Sequence, residues 1–249
     1  MKASWIDLVT RELKFPTLYQ TAPHPCPYIS EKTAINLIID PNYDVDSPTY
    51  ERLLEHGFRR NGSLYYRPFC NHCSQCRSVR LPVNEFRTNR SQRRTLGRNQ
   101  DLNIVCETTR FDETQFELYL RYQAGRHQGD SMDDPDPDKY RRFLIESRVN
   151  SFSICFYLDG QLVSVAIVDH VTNGMSAVYT FFDPELDQRS LGTYAILTQI
   201  DIARRLELRW LYLGYWIQAC PKMAYKTNFQ PLQQFDTRTS RWIALDKHD

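Results

Sequence analysis

The 249-residue sequence predicts an α+β protein with a mainly antiparallel sheet. In the C-terminal half, three segments rich in β-branched and aromatic residues are separated by Asp159-Gly160 and Asn173-Gly174. These dipeptides are typical of two-residue hairpin turns, so the segments predict an antiparallel meander. A helix, a strand, a second helix and a last strand follow in order. The N-terminal half predicts a smaller α+β unit with a helix and a hairpin of its own.

The elements of the N-terminal half are short and are bounded by proline and glycine. Residues 47–57 predict a helix, because Ser47 can cap it, a proline follows and Gly57 ends it. Asn61-Gly62 predicts a hairpin turn. Further strands are predicted at 31–39, 79–86 and 101–107, and a basic helix at 88–99. We predict an N-terminal domain at 1–104, which holds Cys26, Cys70, Cys73, Cys76 and the basic segment, and a second domain at 105–249.

The C-terminal half predicts longer elements. A capping box at Asp112–Gln115 begins a helix, and residues 140–147 predict a second, short one. Strands are then predicted at 151–158, 162–170, 175–182, 210–214 and 242–245, and helices at 190–206 and 220–226. This order is typical of acyltransferase folds.

Composition excludes several classes of protein. A hydrophobic content of 41% and an aromatic content of 13% indicate a globular chain and not a disordered one. No apolar run reaches the roughly 18 residues that a membrane span needs. The first residues lack the apolar core of a signal peptide, so we expect a cytoplasmic protein. Seven cysteines are an odd number, which in the cytoplasm favours thiols or metal ligands over disulfides.

Basic charge is concentrated in one segment, although the net charge is only +1. Between residues 77 and 98 there are seven arginines and a single acid, Glu85. Helical spacing places Arg90, Arg94 and Arg98 on one face. Arginine suits bidentate phosphate contacts, so this face predicts binding to an RNA backbone. A solvated charged face is the alternative.

Three cysteines form two overlapping Cys-x-x-Cys pairs, Cys70, Cys73 and Cys76. Two-residue spacing lets both sulfurs reach one ion, as in zinc and iron–sulfur sites. Cys26 is a candidate for the fourth ligand, and His72 is an alternative to it. The sequence leaves three interpretations open, which are a structural metal or cluster, unligated thiols, and a redox pair.

A loop and a helix start follow the third meander strand. Asp183 and the proline after it end that strand. Ser190 can cap the next helix, and Gly192 leaves backbone N–H groups uncovered in its first turn. Such a helix start is suited to a phosphate or a developing oxyanion.

The same loop resembles the acyl-donor loop of the GCN5-related N-acetyltransferase fold. That loop usually reads Gln/Arg-x-x-Gly-x-Gly/Ala, and here it reads Arg189-Ser190-Leu191-Gly192, with the second small residue displaced. The resemblance implies that these four residues bind the acyl donor and that the C-terminal domain has this fold.

A wider set of motifs resembles the bacterial aspartate/glutamate leucyltransferases, relatives of the arginyl-tRNA–protein transferases. The motifs, within residues 20–235, are Pro25-Cys-Pro-Tyr28, the cysteine segment 66–76 with Arg80-Leu-Pro-Val83, Ser91-Gln-Arg-Arg94 with Arg98-Asn99, Tyr179-Thr-Phe-Phe-Asp-Pro184, Ser190-Leu-Gly-Thr-Tyr194, Leu213-Gly-Tyr-Trp-Ile217 and Cys220-Pro-Lys-Met-Ala-Tyr-Lys226.

The resemblance implies that the domain at 105–249 is an aminoacyl-transfer domain. It implies transfer of leucine from leucyl-tRNA to proteins that begin with Asp or Glu, which marks them for degradation. The donor is an activated ester, so neither ATP nor a coenzyme is required. The acceptor α-amine has a pKa of about 7.7–8.0 and needs only a mild base. Lys222, Lys226 or an arginine could hold the acceptor carboxylate. The candidates for proton handling are Tyr179, Asp183, Tyr194 and Tyr215, although each tyrosine could equally be a core residue.

Two other functions remain open at this point. An acetyl-CoA-dependent N-acetyltransferase would use the same fold, but the altered loop and the arginine face disfavour it. A non-catalytic RNA- or metal-binding module would rest on residues 66–98 alone. We expect no membrane and no DNA as partners.

Overall fold

The computed structural model describes residues 16–126 and 135–245. The N-terminal part contains β1 Leu18–Gln20, β2 His24–Pro25, β3 Thr33–Ala34, β4 Asn36–Ile39, α1 Ser47–Glu55, β5 Arg59–Asn61, β6 Leu64–Pro68, β7 Arg77–Pro82, α2 Arg90–Arg98 and β8 Asn103–Thr108. Both predicted domains extend into residues outside this description.

The C-terminal part begins with helices and continues into the meander. It contains α3 Glu113–Arg126, α4 Pro137–Tyr140 with a π-helical turn Arg141–Ile145, β9 Ser151–Leu158, β10 Gln161–Val171, β11 Gly174–Phe182, a 3₁₀ segment Pro184–Arg189, α5 Leu191–Arg205, β12 Trp210–Trp216, α6 Pro221–Ala224 with a 3₁₀ turn Tyr225–Asn228, β13 Leu232–Asp236 and β14 Arg241–Leu245.

The described residues form three sheets, a large one, a small one and the two-stranded pair of β2 and β3. The large sheet has eight strands in the order β14-β13-β7-β12-β11-β10-β9-β8, and the small sheet has four in the order β1-β4-β6-β5. In the large sheet only the pair β11 and β12 is parallel, and every other neighbouring pair is antiparallel. The predicted α+β class, with its meander, helix, strand, helix and strand, is confirmed.

Several predicted elements need correction. Asp46 and not Ser47 caps α1, because its carboxylate accepts the Thr49 N–H at 2.9 Å. The strand predicted at 31–39 is two strands, β3 and β4, and the helix predicted at 140–147 is α4 with its π-helical turn. Strand β13 was not predicted. The boundary after residue 104 stays a prediction, but β7 precedes it and lies between β12 and β13.

Both faces of the large sheet are covered. Strand β12 shows this, because its successive residues belong in turn to two different core clusters. Leu211 and Leu213 belong to the core cluster that contains the buried residues of α5, against which Leu96 of α2 also packs. Trp210 and Tyr212 belong to the cluster with α1 and the small sheet. Successive strand residues point to opposite faces. Helices α2 and α5 therefore lie on one face, and α1 with the small sheet lies on the other.

A buried ion pair joins the small sheet to the large one. Arg60 of β5 donates to both carboxylate oxygens of Asp169 in β10, at 2.7 and 2.6 Å, and Ser151 donates to the same carboxylate at 2.7 Å. Both charged side chains are 0% exposed. The pair fixes the position of β5 and hence of its neighbour Arg59.

Candidate active site

The two parallel strands of the large sheet separate and leave a gap. They pair only through Gly174–Ser176 and Trp210–Tyr212. Beyond this point β11 continues to Phe182 and β12 to Trp216 without pairing with each other. Gly214, at φ +80°, adopts a left-handed conformation that favours glycine, at an irregularity in the pairing of β12 with β7.

A cavity of about 1850 Å³ opens at this gap. Its walls include the separated ends of β11 and β12, the first turns of α2 and α5, the segment from α6 to the following 3₁₀ turn, and parts of the small sheet. It therefore extends between elements from both halves of the chain. A cleft of this kind, with convergent polar groups, is the default site for a substrate.

The four predicted proton-handling residues fall into two groups. Tyr179 and Tyr215 line the cavity. The Tyr215 hydroxyl donates to the carbonyls of Tyr66 and Gly57 at 3.1 and 3.3 Å. Burial raises the pKa of Tyr215 well above its ordinary value, so this hydroxyl stays protonated at neutral pH.

Asp183 and Tyr194 do not line the cavity. Asp183 accepts the Glu185 N–H at 3.0 Å and lies 3.8 Å from Arg121. Tyr194 is buried against Phe156, with ring centroids 5.6 Å apart, and burial raises the pKa of its hydroxyl. The structure thus places Asp183 at the start of the 3₁₀ segment and Tyr194 in the core.

The start of α5 presents backbone to the cavity. Ser190 and Gly192 line it, whereas Leu191 is buried in the core and does not. Ser190 has a left-handed backbone, at φ 55°, and its side chain makes no capping hydrogen bond, so the cap predicted for it is wrong. Such a conformation in a residue other than glycine is strained and is often found at functional sites.

Arg189 does not line the cavity, and its contacts hold the neighbouring loop in place. Its guanidinium donates twice to Asp101, each at 2.9 Å. Arg98 donates to the Gln188 carbonyl, and Asn99 donates to the Arg189 carbonyl at 2.9 Å. The C-terminal end of α2 therefore braces the loop that leads into α5.

Two arginines of the predicted basic face lie beside the cavity. Arg90 and Arg94 are exposed and line it. Gln92 lies between them on α2, two residues from each. It is buried and donates to the Asn228 carbonyl at 3.0 Å. This bond anchors α2 to the segment after α6, so the two cations are held at the edge of the cavity.

The two lysines predicted as acceptor-binding candidates, Lys222 and Lys226, line the cavity. Lys222 is exposed, whereas Lys226 is 4% exposed and donates to the Tyr215 carbonyl at 2.6 Å. Burial, and then the positive charge of Arg59, lower the pKa of Lys226 to about 7. At neutral pH its amine is therefore divided between the charged and the neutral form.

The predicted metal ligands lie on one wall. Cys26, Cys70, Cys73 and Cys76 all line the cavity. Burial, and then the neighbouring Cys26, Cys70 and Cys73, raise the pKa of the Cys76 thiol to about 12. Even so, no group of three or more His, Cys, Asp or Glu side chains is arranged to hold a metal ion within residues 16–126 and 135–245.

Arg59 is a cavity residue that the sequence analysis did not single out. It lies on β5 and is 7% exposed. Strand alternation would place Arg59 and Arg60 on opposite faces, and both are buried. A pair of adjacent arginines directly before the turn Asn61-Gly62 was the available signal, but nothing local indicates that either is covered.

Two family models match the chain, and together they reach both sides of the cavity. "Arginine-tRNA-protein transferase, N terminus" matches residues 24–94, and "Arginine-tRNA-protein transferase, C terminus" matches residues 114–236. These matches define the class as the aminoacyl-tRNA–protein transferases.

Two similar proteins indicate which family within this class the chain belongs to. The aspartate/glutamate leucyltransferase of Hahella chejuensis is 46% identical over 94% of this chain and 99% of that protein. The protein of the same name from Pseudomonas aeruginosa strain LESB58 is 45% identical over 94% of this chain and 97% of its own. The chain belongs to the aspartate/glutamate leucyltransferase family, within the arginine-tRNA–protein transferases.

Similarity to solved structures is weaker. A crystal structure of FemX aligns with 82% of this chain and 81% of its own, with a TM-score of 0.44 and 10% identity. In the described part of the chain, no helix is both long enough and apolar enough to cross a membrane.

Proposed function

We propose that the chain transfers leucine from leucyl-tRNA to the α-amine of proteins that begin with Asp or Glu. The observation that carries this proposal is the identity of about 45% to leucyltransferases over 94% of the chain. The product would carry an N-terminal leucine, the mark for degradation that the family resemblance implies. The partners are then leucyl-tRNA and acceptor proteins, and a cytoplasmic location follows from this chemistry.

The donor is assigned to the face of α2 and α5. Arg90 and Arg94 are available to phosphates of the tRNA acceptor end. The backbone at Ser190–Gly192 lies at the start of α5, where uncovered N–H groups and the helix dipole favour negative charge. This arrangement supports binding of the ester carbonyl or the terminal nucleotide there, with stabilisation of the tetrahedral oxyanion.

Proton transfer is assigned to groups inside the cavity. A lysine that holds an acceptor carboxylate must be charged, whereas the pKa of Lys226 near 7 lets its neutral amine accept a proton. We therefore assign Lys226 to proton acceptance from the acceptor amine, and leave Lys222 as a carboxylate-binding candidate. Tyr179 is assigned to protonation of the ribose oxygen that leaves, while Tyr215 shapes the wall.

Asp183 and Tyr194 take supporting roles in the proposal. Asp183 begins the 3₁₀ segment that leads to Ser190, and Tyr194 anchors α5 in the core. Arg98, Arg189 and Leu191 likewise position the donor-binding loop.

The activity is tested with labelled donors and short peptides. Label is expected to pass from leucyl-tRNA to peptides that begin with Asp or Glu, and not to peptides that begin with Arg or Ala. Arginyl-tRNA and acetyl-CoA serve as alternative donors in parallel reactions. Transfer from acetyl-CoA would support an N-acetyltransferase instead, and binding of tRNA without any transfer would support a non-catalytic RNA-binding module.

A structural zinc ion or iron–sulfur cluster on Cys26, Cys70, Cys73 and Cys76 is a second part of the proposal. Two observations support it: all four cysteines line the same cavity, and Cys26, Cys70 and Cys73 contribute to the raised pKa of Cys76. The side chains as placed do not form a ligand group, so binding would require them to converge. Such an ion would link the hairpin β2–β3 to the segment before β7.

Replacement of one ligand tests this site. Cys73→Ser is expected to release the metal and lower the melting temperature together, because binding energy at a structural site is folding energy. Cys106→Ser, on the exposed strand β8, is the control and should change neither. Elemental analysis of protein purified without chelator or affinity metal measures the stoichiometry. A value near zero in the parent protein would leave four unligated thiols.

A further inference from the structure

We infer that Arg59 selects the acceptor, and that its guanidinium binds the side-chain carboxylate of an N-terminal Asp or Glu at the point where β11 and β12 separate. This inference rests on the proposed leucine transfer and assigns the residue that determines its acceptor specificity.

The position of Arg59 is the first argument. Its guanidinium donates to the Ser176 hydroxyl at 2.9 Å and to the Ala177 carbonyl. Ser176 is the last residue of β11 that pairs with β12, and Ala177 is the first that does not. On the other strand, a Cβ at Gly214 would lie 3.4 Å from Arg59 nitrogens. Arg59 therefore occupies the apex of the gap, hydrogen-bonded to β11 and beside Gly214 of β12.

The charge of Arg59 is the second argument. Both of its hydrogen-bond partners are neutral oxygens, and among the described residues no carboxylate lies within 4.0 Å of it. The next residue, Arg60, is buried to a similar extent and has Asp169 as a bidentate partner. Burying a cation without a counter-ion costs free energy, and a bound anion would offset that cost. A guanidinium has five N–H donors, and its planar geometry matches a carboxylate.

The side from which Arg59 enters the gap is the third argument. Arg59 extends from the small sheet. That sheet packs with α1 on the face of the large sheet that carries Trp210 and Tyr212. Arg90 and Arg94 come from α2, on the opposite face with α5. The tRNA and the acceptor can thus approach the gap from different faces. Lys226 donates to the carbonyl of Tyr215, the strand residue after Gly214, and the positive charge of Arg59 lowers its pKa. A carboxylate at the apex would therefore direct the α-amine of the same N-terminal residue toward Lys226.

The experiment measures leucine transfer to peptides that differ only at the first residue, Asp, Glu, Asn or Gln. The wild type is expected to prefer Asp over Asn by at least about 100-fold in kcat/KM. The neutral amide of an Asn peptide would leave the buried guanidinium of Arg59 without an anionic partner. Arg59→Gln should lose most of that preference, with little change for the Asn peptide and a change below about threefold in the KM for leucyl-tRNA.

Two further variants separate recognition from folding. Arg204→Gln is the matched control, since Arg204 also binds backbone carbonyls, those of Val83 and Phe86, but lies outside the cavity. It should keep the full Asp preference. Arg59→Lys retains the charge without the planar fork. It should raise the KM for the Asp peptide about tenfold and leave the KM for leucyl-tRNA unchanged, and it serves if Arg59→Gln does not fold.

Each contrary outcome has a distinct meaning. A folded Arg59→Gln that still prefers Asp over Asn overturns the inference but leaves the proposed function standing. A raised KM for leucyl-tRNA with an unchanged acceptor KM overturns it in favour of a tRNA phosphate at the same guanidinium. Absence of leucine transfer by the wild type overturns the proposed function, and the inference with it.

Discussion

Replacing Asp169 by asparagine is expected to lower the free energy of unfolding by about 3–5 kcal/mol, because the substitution leaves a buried charge without its partner. Arg60 and Asp169 are both 0% exposed and share two hydrogen bonds. Ser151 loses a charged acceptor at the same time. Urea unfolding followed by circular dichroism, at constant pH and salt, measures the change.

An exposed ion pair provides the control for this experiment. Asp201 and Arg205 on α5 lie 2.7 Å apart with side chains 56% and 78% exposed, so Asp201→Asn should change stability by less than about 1 kcal/mol. The double variant Arg60→Met/Asp169→Leu should recover part of the loss, since it leaves no buried charge. A cost below about 1 kcal/mol for Asp169→Asn would contradict the importance given to this pair.

Replacing Arg90 and Arg94 together by glutamine is expected to weaken tRNA binding by about 10- to 100-fold at low salt, because each phosphate contact releases counterions. The slope of log K against log salt should fall by about 1 to 2 for the same reason. Both side chains are exposed, so the melting temperature should remain that of the parent. Filter binding across a salt series gives affinity and slope together.

Arginines elsewhere on the surface separate site-specific binding from general attraction. Arg205 and Arg238 are 78% and 90% exposed and lie outside the cavity. Their double replacement by glutamine removes the same charge. Equal slopes for the two double variants would show that α2 is only a solvated basic face. Arg98 is left unchanged in both, because its contact with Gln188 braces the loop before α5.

The meander could be predicted from the sequence because its signals are local. Asp159-Gly160 and Asn173-Gly174 specify hairpin turns, and the strands on either side pair with their neighbours in sequence. The start of α5 could be placed for a similar reason. The conformation of this helix start could not be predicted. Ser190 lies at the predicted position, but it adopts a left-handed backbone and its side chain makes no capping hydrogen bond.

The candidate site could be predicted only in part, because burial depends on contacts between distant segments. Tyr179 and Tyr215 line the cavity, but nothing local distinguishes them from Tyr194, whose ring packs in the core. From the sequence alone, Arg59 is an ordinary polar residue of a strand. Its burial depends on the contact of β5 with β11, which lies more than a hundred residues later in the chain. Its hydrogen-bond partners are therefore visible only in the folded chain.

The location of β7 has a consequence for how the chain is made. Leu81 pairs with Leu211, and Val79 pairs with Gln234, so this strand has neighbours that the ribosome synthesises much later. Until then its Val79 and Leu81, which are fully buried in the finished sheet, have no strand to cover them. Long-range pairing of this kind slows folding and leaves nascent chains prone to aggregation. Synthesis stalled before β12 would thus release an N-terminal fragment that depends on chaperones.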